Sequence, residues 1–259
     1  MAIPLAIDTV RASMANTIIG RQIIYFHEVT STMDIAREEA ENGAKEGTVI
    51  VAEEQTAGRG RMGRHWFSFP GQNLSLSILL YPDATVCPRL SIAAPVAVLR
   101  AIRQVCNICP TLKWPNDVRI GEKKVSGILI ETAFQDTQVR YAIVGIGINV
   151  NFDPYTHQDI GPIATSLASE SGKVISREEL LKNVLMEFDA IYRHLNEWRM
   201  VWEDWQSSLA TLGKKIQVLS GGQIDEGLAE AVDNEGNLIL RRKNGTLVTL
   251  ISGEVTLQT

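Results

Sequence analysis

Between Gln55 and Trp66, in a chain whose formal net charge is −5, the residues Arg59, Arg61 and Arg64 are interleaved with Gly58, Gly60 and Gly63. Guanidinium groups present fixed forks of donors that match carboxylate and phosphate oxygens. Glycines let the backbone turn and approach a ligand closely. Together they suit a loop that holds a small acidic molecule. The same residues satisfy G-x-G-x-x-G, but the dinucleotide fingerprint needs a helix to begin at the glycines. Here Pro70 and Gly71 intervene and 74–80 alternates like a strand, so a Rossmann nucleotide unit is not expected. A solvated surface loop is the plain alternative for a Gly/Arg stretch; the rest of the chain argues against it.

Three further blocks accompany the loop: Ser31-Thr32-Met33-Asp34 upstream, then Lys113-Trp114-Pro115-Asn116-Asp117 with Lys123-Lys124-Val125-Ser126-Gly127 after a predicted turn at Gly121-Glu122, then Val144-Gly145-Ile146-Gly147-Ile148-Asn149-Val150. In this order, from about residue 24 to the C-terminus, they closely resemble the biotin protein ligase family, also called holocarboxylase synthetases. The resemblance implies an enzyme that uses ATP, with Mg²⁺, to convert biotin to biotinyl-5'-AMP and then transfers biotin to a lysine of a biotin carboxyl carrier domain. Joining a carboxylate to an amine requires such activation, and charge accumulates on phosphate oxygens as pyrophosphate leaves, so preorganised cations are the expected catalytic device.

The resemblance also implies roles. Arg59, Gly60 and Arg61 would lie over the biotin carboxylate and the α-phosphate, with Gly58 beside them, and Lys124 would point at the same oxygens. Arg64 and Trp66 would lie towards the nucleotide and Asn149 towards phosphate or metal. Ser31, Thr32 and Gln55 match positions around the ureido head, which needs donors and acceptors. Gly127, Gly145 and Gly147 would form a pocket floor, although strand glycines also mark bulges. Of the adjacent Lys123 and Lys124, only one can enter the pocket if the segment is extended; the family's frame favours Lys124. Asn116 is placed on the ATP side, yet Asn116 and Asp117 could equally close a turn, and Lys113 has no assigned role.

These groups need elements to position them. Residues 34–42 read as a helix with Ser31 or Thr32 as N-cap and Gly43 as its stop. Strands are expected at 48–52 and 74–80, bracketing the arginine loop, and at 125–132 and 140–150, joined through a turn at Gln135-Asp136-Thr137. Residues 89–105 have helical spacing, with Pro95 expected to kink the helix or mark its real beginning. Ser176-Arg177-Glu178-Glu179 is a capping box. Leu181, Val184, Leu185, Phe188, Tyr192 and Leu195 give a helical apolar face, which Trp198, Trp202 and Trp205 continue at the same spacing, as packing rather than a ligand box. After Gly213 short β runs alternate with turns at 233–236 and at Lys243-Asn244-Gly245.

The expected fold is therefore α+β. A mixed β-sheet with flanking helices, of the class II synthetase-like kind that the resemblance implies, occupies 1–211, and a small SH3-like β-barrel occupies 212–259.

Composition sets bounds. The 259 residues, 45% hydrophobic, suffice for one sizeable core and a small second one. The acidic balance gives no general affinity for nucleic acid. A winged helix-turn-helix, carried by bifunctional relatives, needs roughly 60 residues; fewer precede Ser31, so a biotin-sensing repressor is a secondary reading. A lipoate or octanoate transferase on the same general fold is another, but such enzymes lack Lys-Trp-Pro-Asn-Asp. No stretch approaches the roughly 18 to 20 apolar residues of a membrane span, and no signal peptide is evident, so a cytoplasmic monomer or homodimer is expected. Cys106 and Cys109 form a C-x-x-C without the second pair of a zinc site, and with Cys87 they are expected to be reduced. His27, His65, His157 and His194 have no ligand spacing, so no protein-bound metal is expected.

Overall fold

The computed structural model describes residues 4–156 and 160–257; His157 lies outside them. The elements are α1 Ile7–Ser13, β1 Ile23–Val29, α2 Thr32–Glu41, β2 Val49–Gln55, β3 Asn73–Leu80, α3 Leu90–Cys106, β4 Thr111–Lys113, β5 Asp117–Ile120, β6 Lys123–Gln135, β7 Gln138–Asn149, α4 Leu167–Ser171, α5 Arg177–Arg193 and α6 Arg199–Ser208. They are followed by β8 Lys215–Ser220, β9 Gln223–Val232, β10 Leu238–Arg241, β11 Leu247–Leu250 and β12 Glu254–Leu257. Among the described residues β1 to β7 form one sheet in the order β1-β2-β3-β7-β6-β5-β4, parallel only between β1 and β2. The expected mixed sheet with flanking helices is present, and a separate antiparallel sheet, in the order β11-β10-β9-β8-β12, stands where the small barrel was anticipated.

Alternation decides which face of the large sheet meets which partner. In β3, Leu74, Leu76 and Ile78 join the core under α3 and α5, together with Ile146 and Ile148 of β7 and Ile128 of β6. Asn73, Ser75 and Ser77 therefore project from the opposite face, because successive strand side chains point to opposite sides. There they pair with Asn149, Gly147 and Gly145 of β7. One set of strands thus supplies an apolar core on one side and a small, polar floor on the other.

Several expectations change. The helix around Pro95 begins at Leu90, ahead of the proline. Pro95 deprives only the Ser91 carbonyl of a donor, and Ser91 is exposed to water. The aromatic stripe is not one helix: α5 ends at Arg193, a 3₁₀ turn spans Leu195–Glu197, and α6 restarts the chain. That turn is held by Arg89, whose Nη1 donates to the Leu195 carbonyl at 2.7 Å. The new direction buries Trp205 and lets Trp202 Nε1 donate to the Asp233 carbonyl at 3.2 Å. Trp114 Nε1 donates to the Gly236 carbonyl at 2.9 Å, so two indoles hook the β9–β10 turn of the second sheet. The strand after Lys45 extends to Gln55, while β1 and α1 carry no clear sequence signal. All three cysteines are free.

Candidate active site

The polar side of the sheet opens into a cavity of about 800 Å³. Gly127 lies opposite Gly147, and Leu129 opposite Gly145, so β6 and β7 contribute three glycines to its floor beside the small Ser75 and Ser77 of β3. The space above those glycines is already used. A Cβ on Gly145 would stand 2.6 Å from Met33 Sδ, and one on Gly147 would stand 2.3 Å from the Trp66 indole. Gly58 does not line the cavity; it forms the neck of the arginine loop, where a Cβ would meet the Trp66 carbonyl at 2.5 Å.

One end of the cavity is built by the start of α2. Ser31 is its N-cap and accepts from Met33 N. Gln55, at the end of β2, accepts through Oε1 from Thr32 N at 2.9 Å and from Thr32 Oγ1 at 3.1 Å, while Ser77 Oγ donates to Thr32 Oγ1 at 2.8 Å. Ser31, Thr32 and Gln55 are all buried, and all reach the cavity. Buried polar groups are tolerated when bonded, and this chain of hydroxyls and amide fixes each rotamer against the next.

The arginine loop is a short hairpin. Trp66 N donates to Gly58 O at 2.8 Å and Gly60 N to Arg64 O at 2.7 Å, with Met62 left-handed at its tip (φ 56°). Its arginines diverge to three partners. Arg59 forms a bidentate pair with Asp34 at 2.7 Å and 2.7 Å, which ties the loop to α2. The Arg59 guanidinium holds the Asp34 carboxyl below its ordinary range. Arg61 turns inward to Asn116 Oδ1 at 3.1 Å, and burial lowers its pKa. Arg64 reaches Glu254 of β12 in the second sheet. Trp66 lies over Gly127 and Gly147 with Lys124 Nζ 5.7 Å from its ring centre, and its Nε1 is buried without a hydrogen-bond partner.

The opposite wall comes from the β4–β6 region. Lys124, and not Lys123, lines the cavity, and its Nζ pairs with Asp117 Oδ1 at 2.6 Å. A bulge at Val125, opposite Val118 and Arg119 of β5, sets that register, and the Lys124 backbone is bonded by Ile163 O and Thr165 N. Lys113 also lines the cavity, and burial depresses its pKa. Asn116 bonds the Ile128 carbonyl through its side chain and the Ile128 N–H through its own carbonyl, so it is built into the floor as well as bonded to Arg61. Asn149 lines the cavity while its Oδ1 accepts from Asn73 Nδ2 at 3.0 Å.

Of the groups named from sequence, then, Ser31, Thr32, Gln55, Gly60, Arg61, Arg64, Trp66, Asn116, Lys124, Gly127, Gly145, Gly147 and Asn149 converge on one cavity, along with Arg59 from its pair with Asp34. Sequence reasoning did not single out Met33, Ile160, Pro162, Ile163 and Glu254 as lining residues. Met33 had a signal, its place beside Ser31-Thr32; Glu254 had none.

The architecture and the site agree with comparisons to known proteins. The Biotin/lipoate A/B protein ligase family profile matches residues 25–149, and the Biotin protein ligase C terminal domain profile matches 211–257. A Bacillus subtilis protein, the bifunctional ligase/repressor BirA, is 36% identical over 249 residues, covering 93% of this chain and 76% of its own length. This chain belongs to the biotin protein ligase family. The biotin–[acetyl-CoA-carboxylase] ligase of Mycobacterium tuberculosis is 31% identical over 91% of this chain and 88% of its own. Among solved structures, the biotin protein ligase from Aquifex aeolicus in complex with biotin and ATP superimposes with a TM-score of 0.78 at 32% identity, covering 92% of this chain and 99% of that one. The family's two regions coincide with the two sheets of the ligase.

Proposed function

We propose that this protein activates biotin with ATP to biotinyl-5'-AMP and transfers the biotinyl group to a lysine of a carboxylase's biotin carrier domain. The observation that carries the reading is the polarity of one cavity. Ser31, Thr32 and Gln55 gather neutral donors and acceptors on the β2 side, and Arg61, Lys113 and Lys124 gather cations on the β4–β6 side, where Asp117 pairs with Lys124. A molecule with a neutral hydrogen-bonding head and a carboxylate tail fits that order. The head sits against the hydroxyls and amide, its apolar body runs along Met33 and the Trp66 indole that cover the glycines, and its carboxylate arrives among the cations.

A carboxylate oxygen then attacks the α-phosphate of ATP, a C–O–P linkage forms, and pyrophosphate departs. Arg61 and Lys124 stabilise charge on the phosphate oxygens, and Trp66 with Asn116 borders the nucleotide side. Mg²⁺ bound to the triphosphate would screen its charge, with Asn149 on the side of the cavity that would face it. In the second step the uncharged amine of the acceptor lysine attacks the activated carbonyl and gives up a proton, an amide forms, and the carbonyl C–O bond breaks so that AMP leaves with the oxygen and its electron pair.

Residues 1–211 carry this chemistry in our reading and 212–259 form the appended unit. The acceptor is a biotin-carrying carboxylase domain, and the working form a cytoplasmic monomer or homodimer that acts without nucleic acid. Among the described residues no helix is long and apolar enough to cross a membrane.

Mass spectrometry of a carrier domain incubated with the protein, biotin and Mg·ATP is the test. A biotinyl mass increase that needs ATP, and is not reproduced with lipoate, is expected. Modification with lipoate instead would favour the lipoate-transferring reading, and no modification of a competent carrier would overturn both.

A further inference from the structure

Glu53 and Arg177 form a buried ion pair that the proposed chemistry leaves unused. Their side chains are 7% and 6% exposed, and neither lines the cavity. Arg177 is the first residue of α5, where the helix end is itself positive and a cation is locally unfavourable. Burying two charges costs more in desolvation than pairing returns in many proteins, so such a pair is a poor choice for stability alone. Departures from local rules concentrate where function requires them.

Their other partners share a location. Glu53 Oε2 accepts from Arg177 Nη1 at 2.7 Å and from Gly71 N at 3.2 Å. Ser68 Oγ donates to the Glu53 carbonyl at 3.4 Å, and Arg177 Nη1 donates to the Asn73 carbonyl at 3.2 Å. Ser68, Gly71 and Asn73 lie on the limb that runs from Trp66 into β3. Gly71 has φ +73°, a conformation few other residues adopt readily. The other oxygen, Oε1, accepts from Arg177 Nη2 at 3.2 Å, completing the fork, and from Leu5 N at 2.6 Å and Tyr25 Oη at 2.8 Å, which fix the carboxylate further. Glu53 is also two residues before Gln55 on the same strand.

We propose that the Glu53–Arg177 pair is a positioning device that anchors the downstream limb of the arginine loop, so that Arg61 and Trp66 are presented to ligand in one place. The inference rests on the ligase reading of the site. Arg59 with Asp34 restrains the upstream limb, and Glu53 with Arg177 restrains the downstream one. A loop held at both ends loses less freedom when ligand docks.

The test is the paired variant Glu53→Gln/Arg177→Met, which removes both charges together and so leaves neither buried alone. If the docked fraction of the loop falls to about a tenth, the apparent KM values for biotin and ATP rise about tenfold. At saturation the ligands hold the loop and kcat stays near the parent value. A purely structural role would instead lower the active fraction, reducing kcat with KM unchanged, and would overturn the proposal. Hydrogen exchange of the free protein gives a readout independent of activity, so failure of the ligase reading cannot mask the result. The Gly60 and Trp66 amides should exchange faster while Leu76 and Val144 keep their protection; unchanged exchange at Gly60 and Trp66 would refute it. Arg177→Lys keeps the charge but loses the guanidinium fork, and it should give the same pattern at smaller amplitude should the paired variant fail to fold.

Discussion

The Trp66 indole rests on Gly147 so closely that a Cβ there would stand 2.3 Å from its ring. The ring covers the glycine floor, and Lys124 meets it above Gly127, its Nζ 5.7 Å from the ring centre. Gly147→Ala should therefore expel Trp66 from its seat while the strand itself persists. Overpacking of a fitted site typically costs about 1–3 kcal/mol, and if the displaced indole carries that cost into binding, ligand affinity falls by about five- to 150-fold. Calorimetric titration with biotin, alone and with ATP, reads it; parent affinities in the variant would show that the indole yields freely.

Lys124 and Arg61 should separate by kinetics. An ammonium aimed at the α-phosphate gains strength as charge builds there, so Lys124→Ala should lower the single-turnover adenylation rate by on the order of 10²-fold with little change in biotin binding. Arg61 can hold the carboxylate before reaction as well, so Arg61→Ala should weaken binding and rate together. Adenylation at the parent rate by Lys124→Ala would move the activating role to Lys113.

Lys113 gives a dependence on pH with a definite sign. Burial lowers its pKa in the free site, and a triphosphate beside it restores the charged form. ATP binding should thus take up a proton in the window between the lowered and the restored pKa, and affinity should fall as pH rises through the lowered value. Below that value the lysine is charged in both states and contributes no slope. Titrations in two buffers of different ionisation heat measure the uptake, which should vanish in Lys113→Met.

Thr32 joins Gln55 to Ser77 through a single hydroxyl. Thr32→Val keeps the shape and leaves Ser77 Oγ without that acceptor, at a cost of about 1–3 kcal/mol. Thermal unfolding should show the loss, and biotin affinity should fall with it because the Gln55 amide is then held by the Thr32 N–H alone. An unchanged melting temperature would mean that Ser77 finds another partner.

What could be read in advance follows physical range. The Ser31 cap, the alternation of β3 and the Asn-Gly turn are local, and each is set by residues a few positions apart. β1 was hidden because its burial does not alternate, and α1 because a seven-residue helix gives too few turns for periodicity. The tryptophan stripe misled since spacing cannot report the break after Arg193. At the site, residue types marked the arginine loop and the glycine floor, but partners could not be inferred. Glu254 meets Arg64 across 190 positions of chain, and the orientation of Lys124 depends on a bulge at the adjacent Val125 that only the pairing with β5 reveals.

The sharing of β3, β6 and β7 between a packed core and a bare floor has an evolutionary consequence. A floor residue has no slack, since above the glycines lie Met33 and Trp66 and below the strands lies the helix-covered core. Enlarging or reshaping the acyl pocket by drift in the strands would damage folding and recognition in the same step. Selection for a different acyl group has freer ground at Met33 and along the arginine loop, where side chains can change length without shifting a strand. In a lineage that acquired such a preference, the strand sequence would stay nearly frozen while those few overhead positions recorded the change.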